Sequence, residues 1–408
     1  MILKKLNLIF FGILFMIGSN VKSQELLPVM HDTSLVNHQI IMDGSFFQHS
    51  SSLTNEFSRK FIFGGEIADE LSQDTYDRQK KYNRVGAGAK FRISYKSANQ
   101  IFKSKPNWSW MIDVTNEVHG AADYSGDFFG LAFLGNASFL GESINFSNSS
   151  AQYVQYLSFG GGVHDRKTKN FISLNAVLPQ NYFSFIANRG NISFSEDGTD
   201  IQLDLLSEVM EAVSAPYFKG LGAALNFDFN IPFGNDKSFN GVMKITGRNI
   251  GAYQLFDAKL QEFDNNISYS GFQIEDFTND SEMTSLKDTL GVSESIVSPV
   301  RLLPGFIQVG KVASANSTSK LQSIFGVRMY TNFIYRPMVY AGVHYQPFTA
   351  FSFGSQLSFG GYGNFRLGLY ANYTAKSIMV GFGTEDVLGA FLQNQFGHSG
   401  LIRLAWKF

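Results

Sequence analysis

The sequence predicts an all-β protein, a transmembrane antiparallel β-barrel of about 14 strands, in a range of roughly 12 to 16 with even numbers favoured. Three observations predict it. The last nine residues, Gly400 to Phe408, place Ile402, Leu404, Trp406 and Phe408 on one face and Leu401, Arg403, Ala405 and Lys407 on the other. That period of two is a strand with an apolar, aromatic-ended exterior and a charged interior. The same alternation recurs through the chain, and the connections between strands follow an inside–outside asymmetry.

Composition fits. The chain has 39 Gly, 41 Phe and 17 Tyr beside only 9 Pro, and no Cys. Small residues suit a crowded lumen and aromatic rings suit the two bilayer interfaces. Without Cys there are no disulfides, thiol zinc sites or thiol nucleophiles. After the first residues no apolar run is long enough for a membrane helix, so a spanning chain of this kind must close its sheet.

The start reads as a signal peptide at 1–23. Lys4 and Lys5 precede the apolar run Leu6 to Ile17, with cleavage expected after Ser23. Removing it takes away Lys4, Lys5 and Lys22 and no acid, leaving a mildly acidic chain with no basic field for nucleic acid. Residues 24–58, with His31, His38 and His49, are weakly patterned and read as a pre-barrel or plug segment; the barrel is expected over 59–408.

Tyr82 to Lys96 alternates cleanly, with Val85, Ala87, Ala89, Phe91, Ile93 and Tyr95 opposite Arg84, Gly86, Gly88, Lys90, Arg92 and Ser94. Trp108, Trp110, Ile112 and Val114 then oppose Asp113, Thr115 and Glu117, and two Trp at a strand start suit an aromatic girdle. Gly126 to Leu131 is a short helix or irregular turn. Strands are expected at 150–163, 168–178 and 181–195. Leu205, Leu206, Val209, Met210 and Val213 lie at helical spacing behind Asp204, which predicts a loop helix over 204–213.

Further on, Leu221, Ala223, Leu225, Phe227, Phe229 and Ile231 oppose Gly222, Asn226, Asp228 and Asn230, and Lys244, Thr246 and Arg248 share a face. Residues 254–303 are polar and acidic, with a helical fragment near Glu282 to Leu290. Strands follow at 305–313, 321–334, 337–346, 348–358, 362–374, 377–383 and 400–408. If Phe408 ends in the periplasm, the connections at 374–376, 346–348, 314–320 and 232–240 fall on that side and are short. The long ones, 384–399 and 254–303, fall outside with the corners at Tyr335 and Tyr362. Outer-membrane barrels have that asymmetry.

No zinc, phosphate-loop or nucleophile-elbow motif is present. His398 and Ser399 are adjacent on a strand and so point to opposite faces. His164-Asp165 and His31-Asp32 lack partners at ligand spacing, and Gly360-Gly361-Tyr362-Gly363 reads as a tight hairpin. Neither catalytic residues, cofactor nor metal is expected. Lipid-facing charge would cost about 2–4 kcal/mol near the midplane. Arg84, Lys90, Arg92, Asp113, Glu117, Asp228, Lys244, Arg248, Arg366 and Arg403 are therefore expected inside, either as a packed polar network or as the wall of a wet, basic pore.

Gly126-Asp127-Phe128-Phe129-Gly130-Leu131-Ala132-Phe133-Leu134-Gly135-Asn136, Leu303-Pro304-Gly305-Phe306 and Gly383-Thr384-Glu385-Asp386-Val387-Leu388-Gly389 resemble an uncharacterised family of Bacteroidota outer-membrane barrels. It is distantly similar to fatty-acid-transporter-like and type IX secretion barrels. The resemblance covers about residues 60–408 and implies a signal peptide and an outer-membrane barrel, with no catalytic residues to carry over. The Asn-Pro-Ala common in its members early in the mature chain is missing from 24–58.

The expected function is a non-enzymatic pore, uptake channel or envelope scaffold in the outer membrane. The alternative is an accessory barrel of a secretion or surface-attachment system, holding a partner protein through 254–303. The strand Ile402, Leu404, Trp406, Phe408 would close the barrel and be read by the barrel-assembly machinery, with outer-membrane lipid as the other partner.

Overall fold

The computed structural model describes residues 28–31, 35, 37–213, 217–234, 241–270, 291–331 and 334–408, apart from the side chains of 63, 269 and 270. The expected signal peptide and the helical fragment near Glu282 to Leu290 lie outside the described residues.

The strands of the first half are β1 (Gln39–Ser50), β2 (Tyr82–Phe102), β3 (Lys105–Ser125), β4 (Ser143–Asn145), β5 (Ser149–Asp165), β6 (Phe171–Phe194), β7 (Asp200–Ala212), β8 (Gly220–Phe233) and β9 (Gly241–Leu255). Those of the second half are β10 (Ala258–Ser270), β11 (Val292–Val297), β12 (Val300–Leu302), β13 (Phe306–Val312) and β14 (Leu321–Tyr330). Then come β15 (Arg336–Phe348), β16 (Phe351–Gly361), β17 (Phe365–Thr374), β18 (Ile378–Thr384) and β19 (Gly397–Lys407). All belong to one antiparallel sheet that closes on itself through β1 and β19.

Several segments are pieces of one long strand. β8 and β7 lie end to end along β6, β9 and β10 continue that pattern, and β13, β12 and β11 follow along β9 and β10. The wall therefore has fourteen strands. It is tall around β2 to β11 and low around β14 to β19.

The closing seam is the expected one, but its partner is not. Residues 39–50, read from the sequence as part of a pre-barrel segment, form β1, which pairs with β19 from Gln39↔Lys407 to His49↔Gly397 and with β2 on its other edge. The alternation was obscured because β1 carries Ile41 and Phe47 on the inner face and Gly44 on the outer. Phe408 and His38 exchange both backbone hydrogen bonds, at 3.0 and 3.1 Å, and their rings stack. Only residues 28–31 of the expected plug lie within the lumen among the described residues.

Two further expectations change. Residues 204–213 belong to strand β7 rather than a loop helix. β6 and β10 offer hydrogen-bonding edges on both sides, while Leu203 and Leu205 pack outward and Met210 packs inward. Sheet neighbours outweigh helical spacing there. The segments 168–178 and 181–195 are one strand, β6, bent at a bulge where Gln155 opposes Asn181 and Tyr156 opposes Pro179.

The exterior carries the predicted band. Trp110, Ile112 and Val114 on β3, Phe91 and Ile93 on β2, Phe353, Leu357 and Phe359 on β16, Leu369 on β17 and Ile402, Leu404 and Trp406 on β19 are all exposed. No described helix is long and apolar enough to cross a membrane.

Above the band, on the end opposite Phe408, the outward face of β2, β3, β5 and β6 is built from Val85, Ala87, Ala122, Ala151 and Ala187. These small residues let helices approach closely. Helix α1 (Asn55–Phe63) and helix α3 (Gly126–Leu134) lay Phe57, Phe61, Phe128 and Phe129 there, with α2 (Asp69–Asp77) beside them. Thr54 and Ser125 cap α1 and α3 by accepting from the N–H groups of Phe57 and Phe128. Each buried Phe contributes about 1.5–3 kcal/mol, so the tall wall has an apolar core of its own.

The connections 313–320, 349–350 and 375–377 lie at the Phe408 end, and 362–364 and 385–396 at the other, as expected, but 254–303 is not one long connection: 258–270, 292–297 and 300–302 are wall strands.

Candidate functional site

Ten charged residues were expected inside, and the strand registers put them there at two different heights. The lower level, toward Phe408, is a chamber of about 500 Å³. Of the ten, Arg92, Asp228, Lys244, Arg248 and Arg403 border it. Arg92 of β2 and Arg403 of β19 stand directly opposite Asp43 of β1 in register, and both bond its carboxylate. Arg92 Nη2 lies 2.6 Å from Oδ2 and Arg403 Nε 2.5 Å from Oδ1. Asp228 is likewise shared, at 2.9 Å from Lys244 Nζ and 2.8 Å from Arg248 Nη2, and also accepts from Thr246 Oγ1.

The other five lie elsewhere. Lys90 and Glu117 pair at 3.0 Å across β2 and β3, above the chamber. Asn249 Nδ2 donates to that Glu117 and to Tyr156 Oη, which welds β9 to β3 and β5. Asp113 reaches past β5 to accept from Asn175 Nδ2 and Ser173 Oγ on β6. It can do so because β5 presents Gly160 there: a Cβ would come within 2.5 Å of Asn175 Cα. Arg366 Nη2 meets Gly360 O at 3.3 Å and the Met338 sulfur at 2.8 Å, with no carboxylate partner among the described residues. Arg84 stands at the rim opposite Asp123 in register, without forming an ion pair to it.

Reasoning from the sequence missed several lining groups. Asp43 was hidden with β1. Asn249 sits at φ +52° at a β-bulge between Leu225 and Phe227, a conformation that Asn tolerates better than most residues. A bulge breaks the period of two, so no alternation could have aimed Asn249 inward. Lys96 was in plain view: it ends the Tyr82–Lys96 alternation, two positions beyond Ser94 on the same inner face of β2. Arg328 and Glu385, paired at 3.0 Å, join β14 to the loop after β18.

Between Arg328 of β14 and Arg403 of β19, the strands β15, β16 and β17 present a neutral stretch of wall with His344, Ser352, Gln356, Tyr370 and Asn372. His344 Nδ1 and Tyr370 Oη lie 2.9 Å apart. The chain before β1 enters this chamber. His31 N–H donates to Ala313 O and His31 O accepts from Ala315 N–H, forming a parallel bridge, and Asn372 Nδ2 donates to Pro28 O.

The upper level is packed. Tyr362, from the Gly360–Gly363 hairpin predicted on the outer side, folds inward and is 1% exposed. Its hydroxyl lies 2.7 Å from His119 Nε2, and its ring stacks on Phe47 and meets Tyr335 edge-on. Tyr335, Tyr330 and Phe306 continue the layer, with centroids 4.4 and 5.2 Å apart. The ring fits only because β2 offers Gly86, where a Cβ would fall 2.2 Å from Tyr362 Cδ2. The turn itself holds Gly360 and Gly361 at φ +103° and +72°, which L side chains rarely adopt. Beside it Tyr156, Tyr182, Tyr253, Leu255 and Leu303 form a second apolar cluster. Large apolar groups thus face inward at this height, and Phe171, Ile324, Tyr370 and Leu401 do so among the polar lining of the chamber below.

The three segments of the noted resemblance all sit at the end opposite Phe408. Gly126 to Leu134 is the covering helix α3, and Gly305 lies against the backbone of β9, where a Cβ would fall 2.3 Å from Asn249 O. Asp386 caps the short helix α4 (Val387–Phe391), with Oδ1 accepting from Gly389 N–H at 3.0 Å. Burial raises the Asp386 carboxyl above its ordinary pKa, against the pull of that N–H and of Arg366.

The weaker candidates resolve as loop and strand chemistry. Ser399 faces inward, bonding Glu385 N–H and Thr384, while the His398 ring lies against Phe46, an exposed residue of β1. Asp165 caps the turn 165–170, and His164 Nε2 lies 3.0 Å from Ser97 O. No group of metal-ligating side chains occurs among the described residues.

No family model matches the chain, and no curated protein matches it. The solved structures it is similar to include barrels, at low identity and with TM-scores below 0.5. The TodX deltaS2S3 mutant monoaromatic hydrocarbon channel is 7% identical with a TM-score of 0.40, over 91% of this chain and 90% of that one. The P. putida toluene transporter TodX is 8% identical with a TM-score of 0.37, over 93% of each chain. The translocator domain of the autotransporter NalP from Neisseria meningitidis is 10% identical with a TM-score of 0.31, over 92% of this chain and 90% of that one.

Proposed function

We propose that this chain is an outer-membrane barrel working as a gated, non-enzymatic solute channel. The observation that supports it is the order of two layers inside one closed wall: an aromatic stopper at the outer end and a basic chamber at the periplasmic end. The signal-like start, the lipid-suited band and the closing strand ending on Phe408 favour the outer membrane, as does the resemblance to Bacteroidota barrels. On this reading the barrel-assembly machinery inserts the chain through β19. The Gly360–Gly363 hairpin is the movable part, since it hangs between two short strands and holds its tyrosine by one hydrogen bond and ring contacts.

Planar-bilayer recording tests it. Wild-type protein should be mostly closed, and Tyr362→Ala should give a steady current that favours anions, as a cation-lined lumen requires. If a folded Tyr362→Ala barrel stays as silent as wild type, the channel reading fails and an envelope scaffold remains.

A second reading has its own support. The tall wall carries exposed Ile296, Val300 and Leu302, each more than 60% exposed, along the 254–303 stretch first considered for partner binding. β10 and β11 are integral to the sheet there, so the deletion that tests an accessory role is 271–290 rather than the whole stretch. Loss of a co-purifying surface protein from that variant, with current unaffected, would support this role.

A further inference from the structure

We propose that the chamber is a binding site for a small, hydroxyl-rich anion, a uronate or a sugar phosphate. Nine cationic side chains border it against two carboxylates, Asp228 and Glu385, with Asp43 behind Arg92 and Arg403. Each aspartate is already divided between two cations. Lys96 forms no ion pair among the described residues; its ammonium stands 5.1 Å from the centre of the Phe171 ring, and the Arg248 guanidinium stands 5.0 Å from the same ring. Two like charges gathered at one aromatic ring, beside a wall with surplus positive charge, favour an anion between them.

The neutral stretch of wall says what kind of anion. Asn372 Oδ1 and His344 Nε2 are buried polar atoms with no hydrogen-bond partner among the described residues, on side chains only 4% and 1% exposed. Leaving such atoms unmatched is costly. Gln356 and Ser352 stand beside them. A ligand carrying charge at one end and hydroxyls at the other satisfies both sets of groups at once, whereas an inorganic ion meets only the first. The chamber volume of about 500 Å³ falls within the usual small-ligand range of about 300–1,000 Å³.

The inference rests on the channel reading for its purpose, but its test reads binding and not current, so the two can fail separately. Detergent-solubilised full-length barrel, checked for folding by heat-modifiable migration, is titrated calorimetrically with galacturonate, glucose 6-phosphate, succinate and glucose. Both anionic sugars should bind saturably, at least about tenfold tighter than glucose, and more tightly than succinate. Galacturonate and glucose 6-phosphate separate a carboxylate-selecting site from a phosphate-selecting one. Lys96→Gln should weaken both by about tenfold, with the loss shrinking as salt rises. His344→Phe keeps the ring beside Tyr370 and should remove the preference over succinate while leaving succinate binding unchanged. Equal binding of glucose and the anionic sugars, no saturable binding to the folded barrel, or an unaltered Lys96→Gln would each overturn the proposal.

Discussion

Asp43→Ala is expected to destabilise the barrel by about 3–5 kcal/mol, the range for removing one partner of a buried ion pair. Asp43 lies on the first strand, Arg92 on the second and Arg403 on the last, all three directly opposite in register. One carboxylate therefore ties the chain's two ends to each other and to the next strand, and its three side chains are each less than 20% exposed. Without it, two guanidiniums face each other across the closing seam with nothing between them. A urea titration of the reconstituted barrel, followed by tryptophan fluorescence, measures the loss. Adding Arg403→Met to Asp43→Ala should recover part of it, since one of the two uncompensated charges is gone. If Asp43→Ala shifts the midpoint no more than a surface substitution such as Glu70→Ala, the seam does not depend on this ion pair.

The second large effect concerns the outer face. Leu369→Arg should cost about 2–4 kcal/mol in a lipid bilayer, the penalty for a cation near the hydrocarbon midplane. Leu369 lies near the middle of β17 and is 43% exposed outward. The control is Gln356→Arg, whose residue pairs with Gly368 and so sits at nearly the same height, but on the chamber side. That variant should cost less than Leu369→Arg, because its charge faces a polar chamber rather than hydrocarbon, although the cations already there repel it. Equal tolerance of both substitutions would mean that the apolar band does not face lipid, and the membrane assignment would fall with it.

Much of this molecule could be read from residue order because alternation is a local property. The β2, β3, β8 and β19 faces each follow from a run of neighbours. The count of about fourteen strands follows from chain length divided by the length of a strand and its turn, and the sidedness of the short connections from their order back from Phe408. Even the inward position of Arg92, Asp113 and Arg403 needed only the cost of placing charge in hydrocarbon.

What could not be read depends on partners far along the chain. β1 reads as part of a pre-barrel or plug segment because Ile41 and Phe47 face the lumen while Gly44 faces out; its pairing with both β2 and β19 makes it a strand. Residues 204–213 had helical spacing, and the edges of β6 and β10 overruled it. Asn249 turned inward through a bulge.

By itself, then, residue order determined a closed, lipid-suited sheet with charges inside, since each depends on near neighbours and on the solvent at each face. Tertiary structure decided the height at which those charges lie, which of them share a carboxylate, and that Tyr362 drops through the gap left by Gly86. Asp43 meets Arg403 from 360 residues away and Tyr362 meets Gly86 across a long span of chain, and spacing along a chain carries no record of such meetings.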